Sequence, residues 1–269
     1  MTAITPRFAE LHAPAHWRVV DFISDLHLQV SEPETLRSWE RYMAQTRADA
    51  VFILGDLFEV WVGDDGLDAK DDEARFEQHC MEVLRASAAQ RALHFLHGNR
   101  DFLLGSAAAR AAGLTLLADP TVLVFGGQRW LLSHGDALCL EDRDYLQFRA
   151  QVRTEAWQRA FLASPLAERR VIARRLRQES EARKQGGTPY ADVDTPLACE
   201  WLQSSNATHL IHGHTHRPAD HALGDGLLRH VLSDWEAGAA PPRGEVFRLE
   251  YDGGAGAVRV RRLAADNIA

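Results

Sequence analysis

The chain has 269 residues, a formal net charge of −8, 46% hydrophobic and 25% charged residues. That length suffices for one substantial core with a small subdomain, and the composition excludes a disordered or fibrous chain. The acidic balance disfavours non-specific nucleic-acid binding as the main activity, although a local basic patch is compatible with it.

Taken in chain order, the sequence repeats one pattern, a short apolar run followed by a polar cluster. Trp17–Ile23 ends at Ser24-Asp25-Leu26-His27, and Ala50–Leu54 ends at Gly55-Asp56. Ala92–Leu96 leads into His97-Gly98-Asn99-Arg100-Asp101, and Arg129–Leu132 into Ser133-His134-Gly135-Asp136. Thr208–Ile211 leads into His212-Gly213-His214-Thr215-His216. Such runs suit strands buried on both faces. Helical stretches over Glu34–Thr46 and Asp71–Gln90 make the early chain βαβαβ. Further strands are expected around Thr121–Phe125, Leu227–Leu232 and Glu245–Tyr251, with turn signals at Gly126-Gly127 and Asp252-Gly253-Gly254. The fold class predicted is α/β, a four-layer α/β/β/α sandwich of mixed sheets. Its core spans 17–141 and 193–262, with a helical cap insertion at 142–192 and an N-terminal extension at 1–16.

Cys80, Cys139 and Cys199 are widely separated and form no CxxC pair, which reads as reduced cytosolic thiols. The N-terminal residues lack a basic end followed by an apolar run, and no stretch approaches the roughly 18 apolar residues of a membrane span. A cytoplasmic, soluble protein with at most peripheral membrane contact is expected. Trp39, Trp61 and Trp201 read as core filler, and Cys139 as a small buried hydrophobe.

In open α/β sheets ligands collect at the carboxyl ends of strands, where every one of these clusters lies. Asp25 and His27 are two residues apart, as are His214 and His216, so extended backbone turns each pair to one side. With Asp56, Asn99 and His134 they offer carboxylate, imidazole and carboxamide donors suited to Mn²⁺, Fe²⁺ or Zn²⁺, without a thiolate. Two adjacent cations need a shared carboxylate, for which Asp56 is the natural bridge. Asp25, His27 and His216 then complete one position, and Asn99, His134 and His214 the other. Such a pair activates water and neutralises charge on a phosphoryl group, while Arg100 clamps a phosphate oxygen. A lone Gly-Asp is commonly a turn, and Asn99 or Asp101 alone could cap a helix. Metal-competent side chains at the ends of all five runs are what chance does not explain.

In this order the clusters resemble the calcineurin-like metallophosphoesterase superfamily. The phrases SDLHL, LGDLFEVWVGDD, HGNRDFLLG, HGDALC and IHGHTHRP resemble, within it, the UDP-2,3-diacylglucosamine pyrophosphohydrolase family, over roughly Ile23 to Trp235. The resemblance implies cleavage of UDP-2,3-diacylglucosamine to lipid X and UMP in lipid A biosynthesis, by water attack at the α-phosphorus with two Mn²⁺ bound. It implies catalysis at Asp56, Asn99, Arg100 and His134. Substrate contacts are implied for Asn99, Arg100, Asp142, Tyr145, Arg177, Ser180, Lys184 and His214. Past Ser180 the sequence EARKQGGTPY departs from the family's Asn- and Lys-containing pattern, with Lys184 standing in for one contact. A peripheral place on the cytoplasmic face of a Gram-negative inner membrane is implied too, with no nucleic-acid partner.

From Tyr145 to Lys184 the sequence is helix-like, with apolar positions such as Trp157, Phe161, Ile172 and Leu176 interleaved with arginines. A basic amphipathic insert binds membrane surface or lipid phosphate, or else packs its apolar face on the core with its arginines solvated. The resemblance favours an acyl-chain pocket with basic residues at its mouth. Two other functions share parts of this pattern. A cyclic-nucleotide phosphodiesterase or nuclease would use the same metals but needs no apolar cap, and a non-catalytic scaffold would be expected to have lost ligands.

Overall fold

The computed structural model describes residues 6–185, 191–254 and 256–268, the side chains of 179–185 excepted. In chain order the elements are β1 (Ala9–His12), β2 (Val19–Ile23), α1 (Pro33–Gln45), β3 (Ala50–Ile53), α2 (Asp72–Ala88), β4 (Ala92–Leu96), α3 (Ser106–Ala112) and β5 (Leu114–Leu117). There follow β6 (Thr121–Phe125), β7 (Gln128–Ser133), α4 (Arg143–Val152), α5 (Glu155–Leu162), α6 (Leu166–Gln185) and α7 (Thr195–Ser204). The chain closes with β8 (His209–His212), β9 (Ala219–Gly224), β10 (Leu227–Val231), β11 (Glu245–Glu250) and β12 (Arg259–Ala264).

Two mixed six-stranded sheets result. One has the order β12-β11-β2-β3-β4-β5, the other β1-β6-β7-β8-β10-β9. In the first, β2 to β5 run parallel, β11 is antiparallel to β2, and β12 is antiparallel to β11. Period-two alternation assigns the faces. Val20, Phe22, Phe52 and Leu54 meet Leu123, Trp130, Leu132 and Ile211 between the sheets. Ile23, Val51 and Ile53 face a second cluster with Trp39, Tyr42 and Met43 of α1 and Cys80, Met81 and Leu84 of α2. The outer face of the other sheet packs on Leu197, Trp201 and Leu202 of α7. These are the four layers anticipated.

Several elements were not legible. Residues 9–12, read as part of an extension, form an edge strand parallel to β6. β1 and β9 alternate between half-buried and exposed positions, as short polar edge strands do, and β12 is rich in arginine. The continuous helical stretch 145–184 is broken into α4, α5 and α6, with Asp142 and Thr154 capping the first two. No helix among the described residues is long and apolar enough to cross a membrane.

Asp21, inside the apolar run of β2, is fully buried and accepts hydrogen bonds from Arg248 Nε (2.7 Å), Thr46 Oγ1 (2.7 Å) and Tyr42 Oη (3.2 Å). This pair ties β11 to β2 and to the end of α1. Removing one partner of a buried pair leaves the other charge uncompensated. Asp21→Ala is expected to destabilise the fold by about 3–5 kcal/mol, read as a lowered urea midpoint; a midpoint equal to that of the native chain would show that Arg248 reaches water instead.

Candidate metal centre

Five loops at the carboxyl ends of β2, β3, β4, β7 and β8 supply the predicted site, three from one sheet and two from the other. Their backbones are strained into position. Asp25, His27, Asp56, His214 and His216 have φ of 54°, 49°, 52°, 67° and 53°, a left-handed region that ordinary residues seldom occupy. Two glycines let the loops close on one another. A Cβ at Gly98 would lie 2.0 Å from Asp56 Oδ1, and one at Gly213 2.2 Å from Asp25 Oδ2.

The donors converge. Asp25, His27 and His216 form one group whose ligand atoms all lie within 4.8 Å of one another, and Asp25, Asp56 and His134 form another. His27 Nε2 is 3.3 Å from His216 Nε2, which is 3.4 Å from Asp25 Oδ1. Asn99 Oδ1 is 2.9 Å from His134 Nε2 and 3.0 Å from His214 Nδ1. Asp56 Oδ2 faces both sets, 3.9 Å from His27 Nε2 and 3.8 Å from His134 Nε2. Ligands about 2.0–2.2 Å from a common ion stand about 3.0–3.6 Å apart; three of these six spacings fall in that range and the other three lie within about 0.3 Å of it. All seven predicted ligands are thus brought together, and their donor chemistry fits divalent metals.

Around them lies a ring of partners. Ser24 Oγ donates to Asp25 Oδ2 (2.6 Å), and the Arg100 N–H donates to Asp56 Oδ1 (2.8 Å). Asp101, fully buried, accepts from the N–H groups of Gly98 (2.9 Å) and Leu57 (2.7 Å), tying the β4 loop to the β3 loop. His134 Nδ1 lies 2.9 Å from the Leu54 carbonyl, which directs Nε2 inward. Three carboxylates were given no role in the sequence reading. Glu59 Oε2 is 2.9 Å from His27 Nδ1, while its Oε1 is 2.9 Å from Arg177 Nε and 3.9 Å from Arg100. Burial would raise the Glu59 pKa, but His27, Arg100 and Arg177 outweigh it and hold the carboxyl at about 2. Asp136 accepts from Tyr145 Oη and from Arg149 Nε (2.8 Å). Asp234 Oδ2 is 3.7 Å from His216 Nδ1. Only their position marks these acids in the sequence, since each follows a ligand or strand end within a few residues.

The predicted substrate contacts divide. Tyr145 stacks on His214 with ring centroids 6.1 Å apart, and Arg177 borders a cavity of about 220 Å³ with His27, His216, Glu59 and Arg100. Asp142 is exposed and serves as the N-cap of α4, accepting from the Tyr145 N–H at 3.2 Å. Ser180 and Lys184 lie outside the residues whose side chains are described. Cys139 is buried, and burial and then Asp136 push its thiol up to about 12, which makes it inert.

A family model described as calcineurin-like phosphoesterase matches residues 19–218. Among curated proteins, a UDP-2,3-diacylglucosamine hydrolase of Chromobacterium violaceum is 46% identical, over 87% of this chain and 96% of its own. One of Chromohalobacter salexigens is 43% identical, over 86% and 92%. Among solved structures, an archaeal phosphodiesterase is similar over 91% of this chain and 99% of its own, at 11% identity and a TM-score of 0.45.

In the metal-free protein, burial lowers the His134 pKa, but the Asp56, Asp136 and Asp25 carboxylates outweigh it and raise the ring to about 9. Burial and then His134 press His214 down to about 3, so that ring is neutral. A cation taken up through His134 Nε2 therefore displaces a proton below pH 9. Apparent metal affinity is expected to rise with pH by about tenfold per unit between pH 6 and 8, flattening near 9. Calorimetry with Mn²⁺ in buffers of different ionisation enthalpy counts the protons, and a count of zero would remove His134 from the ligand set.

Proposed function

The chain belongs to the calcineurin-like phosphoesterase family, and within it we propose that it hydrolyses the pyrophosphate bond of UDP-2,3-diacylglucosamine to 2,3-diacylglucosamine 1-phosphate and UMP. The observation that carries the reaction type is the convergence of seven carboxylate, imidazole and carboxamide donors at the carboxyl ends of five strands. The shared name of the curated relatives supports the substrate.

Asp25, His27 and His216 would hold one divalent cation and Asn99, His134 and His214 a second, with Asp56 common to both. Oxygen and nitrogen donors without a thiolate suit Mn²⁺, Fe²⁺ or Zn²⁺, and of these the family resemblance favours Mn²⁺. The cations supply Lewis acidity, which lowers the pKa of water and offsets charge on the phosphoryl group. The remaining tasks fall to this chain's residues. The planar guanidinium of Arg100, one residue beyond Asn99, orients an α-phosphate oxygen for in-line attack. The sugar 1-phosphate departs as an anion, so no side chain need protonate it.

The reading divides the chain into a core of 17–141 and 193–262 and a cap of 142–192. The cap would shelter the acyl chains and rest peripherally on the cytoplasmic face of the inner membrane. Support comes from exposed apolar side chains on α5 and α6, Leu162, Val171, Ile172 and Leu176, with Val171 57% exposed. Asp142, Tyr145, Arg177, Ser180 and Lys184 are proposed at the mouth of this pocket.

Mn²⁺-loaded protein incubated with UDP-2,3-diacylglucosamine is expected to release UMP, and Asp56→Ala to abolish that release. Arg100→Met should lower kcat by about 10²-fold with metal content unchanged. Turnover of a simple phosphodiester without turnover of this lipid would sink the substrate and leave the chemistry standing.

A further inference from the structure

The two groups of donors differ in what stands behind their histidines. His134 is backed by a neutral carbonyl, that of Leu54, at 2.9 Å. His27 is backed by the buried Glu59, whose Oε2 is 2.9 Å from His27 Nδ1. The second oxygen of Glu59 is occupied separately, by Arg177 Nε of α6 at 2.9 Å, so the carboxylate is held from two sides. His216 has the same arrangement in looser form. Its Nδ1 is 3.7 Å from Oδ2 of the buried Asp234, and that oxygen accepts from Arg243 Nε and Nη2 at 3.0 and 2.9 Å. Glu59, Asp234, Arg177 and Arg243 border the same small cavity beside His27 and His216.

A carboxylate on the far nitrogen of an imidazole fixes the tautomer, orients the ring and makes the near nitrogen a better donor. From this asymmetry we infer that Glu59 and Asp234 are positioning residues that act through His27 and His216, and that they make the Asp25–His27–His216 position the tighter of the two. This rests on the metal site proposed above. The Glu59–Arg177 contact also places the cap helix α6 one side chain away from a ligand of that position.

The test is Mn²⁺ binding without substrate, followed by electron paramagnetic resonance of free Mn²⁺ and by calorimetry. The native chain is expected to bind two ions in two affinity classes. Glu59→Gln keeps the shape and removes the charge, and should weaken the tighter ion by about 10–100-fold while the weaker ion binds as before. Asp234→Asn should weaken the same ion by a smaller factor. Circular dichroism and thermal melting of the metal-free variants check that the fold is retained. If both variants bind two ions with native affinities, or lose affinity equally for both, the inference is overturned. Asp56→Ala separates the two readings. Loss of both ions in that variant with unaffected Glu59→Gln binding sinks only the positioning role, whereas retention of both ions in Asp56→Ala removes the metal site and this inference with it.

Discussion

Buried negative charge at the junction of two sheets is the constraint on which the rest of this structure turns. Asp25, Asp56 and Asp136 are each almost wholly removed from water, and all three act on His134 strongly enough to overcome its burial. Isolated carboxylates in such surroundings would neutralise themselves by taking up protons. Here Asp25 and Asp136 are held ionised. His216 lies against Asp25 and Arg149 against Asp136, and each keeps its neighbour well below the usual carboxylate range although burial pulls the other way. The arrangement conserves negative charge where divalent cations would meet it, and so favours a site that is completed by metal.

Holding those groups together strains the backbone. A left-handed non-glycine residue costs roughly 1–2 kcal/mol, and five of the seven described residues in that state are proposed ligands. Such conformations persist only when their surroundings over-determine them. The rigid part is the pair of sheets, whose interface of Phe22, Phe52, Trp130 and Phe247 leaves the loops fixed at their roots. The Asp101 carboxylate then laces two loops by accepting from their backbone N–H groups, and Gly98 and Gly213 allow the carboxylates to approach the neighbouring chain. The sandwich therefore contributes precision as well as stability, since ligands on loops would otherwise wander.

How much of this was legible follows from the range of each interaction. β2, β3, β4, β7 and β8 carry their own signal, because a strand buried on both faces must be a continuous apolar run. The proposed ligands at their ends are local to those runs, so that clustering could be read with them. β1, β9 and β12 could not, since an edge strand exposes one side and carries polar residues that no periodicity separates from a loop. The roles of Glu59, Asp136 and Asp234 were invisible for another reason. Each is defined by a partner on another element, Arg177, Arg149 or His216, and nothing in a single sequence declares that meeting. Asp21 is the sharpest instance, a charge inside a core strand that makes sense only beside Arg248, 227 residues away.

The cap shows how the same limit can mislead. Its arginines read as a solvated or lipid-facing basic stripe, yet many of them turn inward onto the core. Arg149 binds Asp136, Arg153 donates to the Gly98 carbonyl at 2.7 Å, and Arg177 holds Glu59. Farther out, Arg169 is almost fully buried between Asp65 and the carbonyls of Val62 and Ser164, while Arg170 meets Asp71 and Glu73. A guanidinium suits this duty because its fixed fork satisfies several acceptors at once. With contacts spread along α4 and α6, opening the cap would strip several buried acids and carbonyls of their partners together. Those contacts make α4 and α6 a fixed wall beside the proposed site.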